Sequence, residues 1–192
     1  LHLRLAGETA AEARAASQRV DRHWGQGTRL LVIDQPEQTL RFEGLEPHSH
    51  PPALSLLRGF SAPVRLELER PISELLHLLA CDSDPFARWD AGQTLLRQAV
   101  LRRASAASDW VADEELEEGL VAAFERILAE VGLCDANRSA LLALPGLPEL
   151  EDAALAVAGV CDPPALFQAL LDLQARFGAA LEDPLEHSLA RC

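Results

Sequence analysis

Apolar residues in this chain change their spacing once, near Arg70. Before that point they alternate with polar residues, and after it they recur every three or four positions. These are the periods of a strand and of a helix. LHLRLAG (1–7) puts Leu1, Leu3 and Leu5 on one face and predicts a strand. TRLLVID (28–34) and TLRFEGL (39–45) predict two more, parted by a turn at Gln35-Pro36-Glu37, where proline fixes φ and removes a donor. ALSLLRGFSAPVRLEL (53–68) predicts a long or broken strand pair, interrupted near Gly59 and Pro63. Residues 8–23 fit either a short helix or a polar insertion, closed by Gly25 and Gly27. EPHSHPP (46–52) is a proline-rich loop. Three or four antiparallel strands are too few for a complete sandwich, so the missing strands are expected before residue 1.

Pro71-Ile72-Ser73 opens the first helix, with Ser73 as its expected N-cap and Leu75, Leu76, Leu78 and Leu79 as its apolar side. It ends near Cys81-Asp82. Ser83 or Asp84 caps a second helix that carries Pro85 in its first turn and runs to about Ala106. Phe86, Trp89, Leu96 and Val100 share one face of it, and Leu95 and Ala99 lie on the next. A helix apolar on two faces belongs between neighbours, so Trp89 is expected to be mostly buried, against Leu75 to Leu79 or against the Phe60 to Val64 stretch. A third helix spans Asp113 to Val131, with the stripe Leu116, Leu120, Ala123, Phe124, Ile127, Leu128 and Val131, and stops at Gly132. Asp135 is the expected cap of a short helix through Leu144, and Leu147 to Ala158 forms another, stopped by Gly159. Asp162 caps the next, which starts at Pro163-Pro164 and carries Leu166, Phe167, Leu170, Leu171, Leu173 and Phe177 before Gly178. Pro184 opens a last short segment. The fold class is therefore α+β, with a partial β-sandwich over 1–70 and successive helix hairpins of superhelical kind over 71–192. No sequence repeat is visible, so a regular solenoid is only suggested.

Composition changes this picture little. The chain has 192 residues, 48% hydrophobic and 24% charged, as in an ordinary globular protein. Its net charge is −13, and all 17 basic residues are Arg. Such a surface disfavours nucleic acid and anionic membranes as partners. No apolar run reaches the roughly 18–20 residues of a membrane helix, and no signal-peptide pattern opens the chain. The sequence contains no Met and begins inside an alternating pattern, so a piece of a longer protein is expected. Cys81, Cys134, Cys161 and Cys192 match no zinc or redox spacing. They are expected to be reduced thiols in a cytoplasmic protein, with the first three buried near helix ends.

Catalytic and metal residues are expected to be absent. None of the six histidines, His2, His23, His48, His50, His77 and His187, forms H-E-x-x-H or another metal spacing. His48 and His50 share a loop with Glu46, which reads better as an exposed loop than as a metal site. No nucleophile elbow and no glycine-rich phosphate loop occur. Asp113, Glu114, Glu115, Glu117 and Glu118 read as a solvated helix start, favoured there by the helix dipole. Arg88, Asp90, Arg97, Arg102 and Arg103 read as surface or interdomain ion pairs rather than a binding patch.

Two strings are more specific than any of these patterns. LLRGFSAPVRLEL (56–68) followed by DPFARWDAGQTLL (84–96) closely resembles the bacterial aminopeptidase N (alanyl aminopeptidase) family. PEQTLRFEGL (36–45) resembles the strand upstream in that family, and LPGLPELEDAALAVAGVCDPPALFQALLDL (144–173) does so more loosely. The resemblance covers most of the chain except 8–27. It implies a zinc metallopeptidase of the gluzincin type, in which a catalytic domain precedes a small Ig-like antiparallel β-sandwich and a C-terminal helical domain. This chain would span the end of the sandwich and the start of the helical domain. The family's H-E-x-x-H, exopeptidase motif and catalytic Tyr have no matching positions here, so no site residue is carried over and no metal is expected on this segment. Zinc, peptide substrates and the chain's own catalytic domain as a partner are implied for the parent protein. The segment itself would give architecture and cap the active site. The alternative reading is an independent helical-repeat module that binds a protein or peptide.

Overall fold

The computed structural model describes residues 2–4, 37–39, 53–62, 64, 66, 68–105 and 114–190. The chain divides into two compact units: Leu1–Pro52 with Ala62–Arg65, and Ala53–Ser61 with Leu66–Cys192.

In the first unit, strand β1 (His2–Arg4) pairs antiparallel with β2 (Glu37–Thr39), with Leu3 opposite Gln38. The first predicted strand is present. The second pairs earlier than the sequence suggests, at Glu37, where a turn was expected. Ladder bonds use backbone N–H and C=O groups, so polar Glu37, Gln38 and Thr39 pair without an apolar face to announce them. The predicted strand at 28–34, the rest of 39–45 and the segment 8–23 lie outside the described residues, as do His23, Glu46, His48 and His50.

The second unit is helical. Residues 53–57 are irregular, and Arg58–Phe60 form a 3₁₀ turn rather than the expected strand. Leu57, Gly59 and Phe60 there have φ of 53°, 60° and 53°. Left-handed backbone at a non-glycine residue costs on the order of 1–3 kcal/mol, so Leu57 and Phe60 persist only because other bonds fix them.

Among the described residues seven helices follow: α1 (Ile72–Cys81), α2 (Pro85–Ala104), α3 (Glu114–Ala129), α4 (Asp135–Leu142), α5 (Leu147–Ala158), α6 (Pro163–Ala180) and α7 (Glu182–Leu189). Asp84 caps α2, its Oδ1 accepting from the Ala87 N–H at 2.9 Å, and Asp162 caps α6 from Ala165 at 3.1 Å. In both, proline follows the cap, where its missing N–H is no loss. The other two expected caps differ. Pro71 is the N-cap of α1, with Ser73 inside the helix, and Cys134 is the N-cap of α4, with Asp135 its first residue. Gly159 closes α5 at φ 69°, a conformation that glycine alone adopts without a Cβ penalty.

α1 lies against α2 and α3, α2 also meets α4, α5 and α6, and α3 meets α4 and α7. The approach of α1 to α3 is close enough that a Cβ on Gly119 would run into Leu76. The core is continuous through Leu79, Leu95, Leu116, Leu120, Leu150 and Leu173, all at 0% exposure. Phe124 of α3 meets Phe177 of α6 edge-on, ring centroids 5.3 Å apart. No single described helix is long and apolar enough to cross a membrane.

Trp89 corrects the sequence expectation, since it is 38% exposed. The buried side of α2 runs through Arg88, Ala91, Gly92, Leu95, Leu96 and Ala99. Trp89 follows Arg88 by one residue, about 100° around the axis, and falls at the rim of that face. It rests on Phe86, centroids 6.0 Å apart, and Phe86 meets Phe60 edge-on at 5.2 Å. Val131 is also exposed, because α3 ends at Ala129 before the stripe reaches it. Phe167 and Leu171 are exposed, so the apolar face of α6 is broader than the contact it makes. Cys81 and Cys134 are exposed and Cys161 partly so, because helix ends leave the core; all three are free thiols.

The contrast between two aromatic residues measures this geometry. Phe124→Ala should cost about 3–5 kcal/mol, through lost transfer energy and a cavity. Trp89→Ala should cost less than about 2 kcal/mol, because part of its surface is already in water. Equilibrium urea unfolding of the two variants checks it, and equal losses would place Trp89 in the core.

Candidate functional site

Among the described residues, no group of three His, Cys, Asp or Glu side chains is placed to hold a metal ion. His77 on α1 and His187 on α7 are exposed, on separate helices. The Cys161 thiol is pushed above its ordinary pKa by desolvation, then by the nearby negative charges of Glu151 and Asp162, and this disfavours the reactive thiolate. The chemistry-bearing groups are instead gathered into ties between helices.

The most enclosed of these is at Glu117. The sequence places it in a solvated helix start, yet it is 2% exposed. Its carboxylate takes a two-pronged bond from Arg103 of α2, Nε to Oε1 at 2.6 Å and Nη2 to Oε2 at 2.7 Å. Arg176 of α6 adds Nε to Oε2 at 2.9 Å. One carboxylate thus joins α2, α3 and α6. Its neighbours Glu114, Glu115 and Glu118 are exposed, and Asp113 lies outside the described residues. The sequence does carry a signal for Glu117, which falls three residues before Leu120 and seven before Phe124, on the buried stripe. Its partner Arg176, distant in the chain, carries none.

Arg88 corrects a second expectation. It is buried rather than superficial, donating from Nε to the Leu79 carbonyl at 3.0 Å and from both Nη atoms to Glu130 at 3.2 and 2.8 Å. It therefore satisfies a carbonyl near the end of α1 and pairs with the residue after α3. Arg138 of α4 donates to the carbonyls of Glu130 at 2.9 Å and Leu133 at 3.1 Å and to Asp135 at 2.6 Å. Buried Gln93 donates to the Ala143 carbonyl at 2.8 Å. Arg97 contacts Thr94 within α2, while Asp90 and Arg102 are exposed.

The third cluster fixes the 3₁₀ turn. Arg58 donates to Asp82 Oδ1 at 2.6 Å, to Ser83 Oγ at 2.6 Å and to Ser55 Oγ at 3.0 Å. Asp84 caps α2 with Oδ1 while Oδ2 accepts from the Gly59 N–H at 2.9 Å. The bond to Gly59, next to Phe60, and the paired Arg58 hold the left-handed turn in place. The outcome is an aromatic surface of Phe60, Phe86 and Trp89, with Phe60 at 62% exposure.

A shallow groove of about 540 Å³ runs between α3 and α6, lined by Glu118, Val121, Ala122, Glu125, Arg176, Ala179 and Ala180. None of these clusters is arranged for acid–base or nucleophilic catalysis.

Comparison with known proteins adds what geometry does not. Residues 3–69 match a family model described as a domain of unknown function (DUF3458) with an Ig-like fold. Residues 72–192 match one described as a domain of unknown function (DUF3458_C) with ARM repeats. Aminopeptidase N of Caulobacter vibrioides is 38% identical over 158 residues, covering 82% of this chain and 17% of that protein. Aminopeptidase N of Escherichia coli is 28% identical over 156 residues, covering 81% of this chain and 17% of that protein. The chain thus spans about a sixth of the length of these relatives. The crystal structure of Legionella pneumophila aminopeptidase A in complex with aspartic acid superposes with a TM-score of 0.68. It covers 85% of this chain and 18% of that one, at 24% identity.

The Glu117 tie has a direct test. Glu117→Gln leaves Arg103 and Arg176 facing a neutral amide and should destabilise the helical unit by about 3–5 kcal/mol. Arg176→Ala should cost about 1 kcal/mol, because the Arg103 fork remains and Arg176 is partly solvated. Thermal and urea unfolding of both variants read the difference; a Glu117→Gln protein as stable as the unsubstituted chain would remove the tie from the fold's support.

Proposed function

The chain belongs to the aminopeptidase N family, and from that membership we propose that it is a non-catalytic segment of a zinc-dependent aminopeptidase, which removes N-terminal residues from peptides. The observation that carries the reading is the order of the matches. An Ig-like model over 3–69 is followed directly by an ARM-repeat model over 72–192, and one aminopeptidase N aligns across 82% of the chain. The first part is read as the end of an Ig-like β-sandwich, which the β1–β2 pair would enter as two strands. The helical part is read as a rigid wall that caps the active site of the catalytic domain, limits access by large substrates and excludes bulk water.

Among the described residues, no group of side chains fits a zinc site. The described histidines, His77 and His187, stand exposed on separate helices, and the side chain of His2 lies outside the described residues. Zinc belongs elsewhere in the longer polypeptide, where it would polarise the scissile carbonyl and activate water. What this chain supplies is stiffness. Helices tied by Arg88, Glu117 and Arg138 hold their shape when a peptide enters, as a cap requires. Free thiols at Cys81, Cys134 and Cys161 suit a reducing compartment, which supports a cytoplasmic location. An independent peptide-binding module is the less supported reading, because the matched stretch lies inside much longer relatives.

The test uses two proteins, this chain and the full polypeptide encoded by its reading frame. The full polypeptide should hydrolyse alanyl-p-nitroanilide and lose that activity to a zinc chelator. The 192-residue chain should show neither turnover nor stoichiometric zinc by elemental analysis. Turnover by the chain alone would overturn the non-catalytic role, and an inert full polypeptide would overturn the aminopeptidase reading.

A further inference from the structure

We propose that the aromatic surface of Phe60, Phe86 and Trp89 is the seat on which another domain of the same, longer polypeptide docks. That domain would bring an apolar side chain to the rings and an acceptor to the Trp89 indole N–H. The proposal rests on the reading of this chain as part of a longer aminopeptidase, and deepens it by naming the contact surface.

Three observations carry it. Phe60 is 62% exposed, yet it is not on a loose loop. Arg58 bonds to Asp82 and Ser83, and the Gly59 N–H bonds to the α2 cap Asp84, which fixes the turn and sets the Phe60 ring edge-on to Phe86 at 5.2 Å. A clamped backbone that presents an aromatic ring to water is preorganised for a contact. Trp89, 38% exposed on Phe86, has an indole N–H without a partner among the described residues.

The size of the surface selects the occupant. Phe60 and Trp89 leave on the order of 200 Å² of aromatic area in water. A stable association of separate molecules buries about 800 Å² per partner, several times the ring area exposed here. A domain on the same chain is present at roughly millimolar effective concentration and is held by far less. The relatives have room for such a domain, since the aligned stretch is 17% of their length.

Hydroxyl-radical footprinting tests this by reading side-chain access at Phe60 and Trp89 in the 192-residue chain and in the full polypeptide. Both residues should be oxidised readily in the chain and be protected about threefold or more in the full polypeptide, as at a packed interface core. Exposed Val157 on α5 serves as the reference within each sample. Equal oxidation in the two proteins would overturn the proposal. So would low oxidation already in the chain at all concentrations, which would assign the cover to this chain's own residues, or protection that rises with chain concentration, which would assign it to a second copy. Protection is read whether or not the full polypeptide cleaves alanyl-p-nitroanilide, so its failure is distinct from failure of the aminopeptidase reading.

Discussion

A single buried carboxylate sets the arrangement of the helical unit. Glu117 sits on the inward side of α3, and burial of its charge is tolerated only because Arg103 and Arg176 reach it from α2 and α6. Apolar contacts do not choose between similar positions, since leucine packs about as well half a turn away. A two-pronged guanidinium–carboxylate bond does choose, because its geometry is narrow and an unpaired buried charge is costly. The edge-on pair of Phe124 and Phe177 then falls between the same helices, and the leucine core fills the space around it.

Arginine solves a related problem at the helix ends. Carbonyls in a last turn have no partner within their own helix. Arg88 donates to one near the end of α1, and Arg138 to those beyond α3, while each also holds a carboxylate. Lysine would not serve as well, because a compact ammonium lacks the planar fork that serves several acceptors at once. These ties join neighbouring helices within the unit, so their packing is fixed without depending on the exposed faces. That leaves the exposed faces open to function, and the junction turn uses the same economy: Asp84 starts α2 and also accepts from the Gly59 N–H, next to Phe60.

The change of period at Arg70 was legible because side-chain direction follows directly from backbone geometry, and every predicted helix in the described residues is present within a few positions of its expected ends. Asp84 and Asp162 were legible as caps because a carboxylate three residues before a helix N–H is a local arrangement. Ser73 and Asp135 failed as caps for the opposite reason: each stands one or two residues inside the true start, and cap choice there depends on where Pro71 and Cys134 leave the preceding turn. The 53–62 segment alternates like a strand, but its backbone is bent left-handed by bonds to Asp82 and Asp84, which follow it by more than twenty residues.

What the sequence determined by itself was periodic or adjacent: the helix faces, two proline-led helix starts, the stop at Gly159 and the two strings that mark the family. What only the tertiary structure decided was which member of each face is covered and which charges meet. Trp89 and Phe86 share an apolar side by spacing, yet the neighbours of α2 sit over Arg88, Leu95 and Leu96 and leave Trp89 at the rim. Glu117 looks like its acidic neighbours until Arg103 and Arg176 close on it. Burial is a property of the space between elements, set by the summed packing of distant segments, and a local pattern contains no term for it.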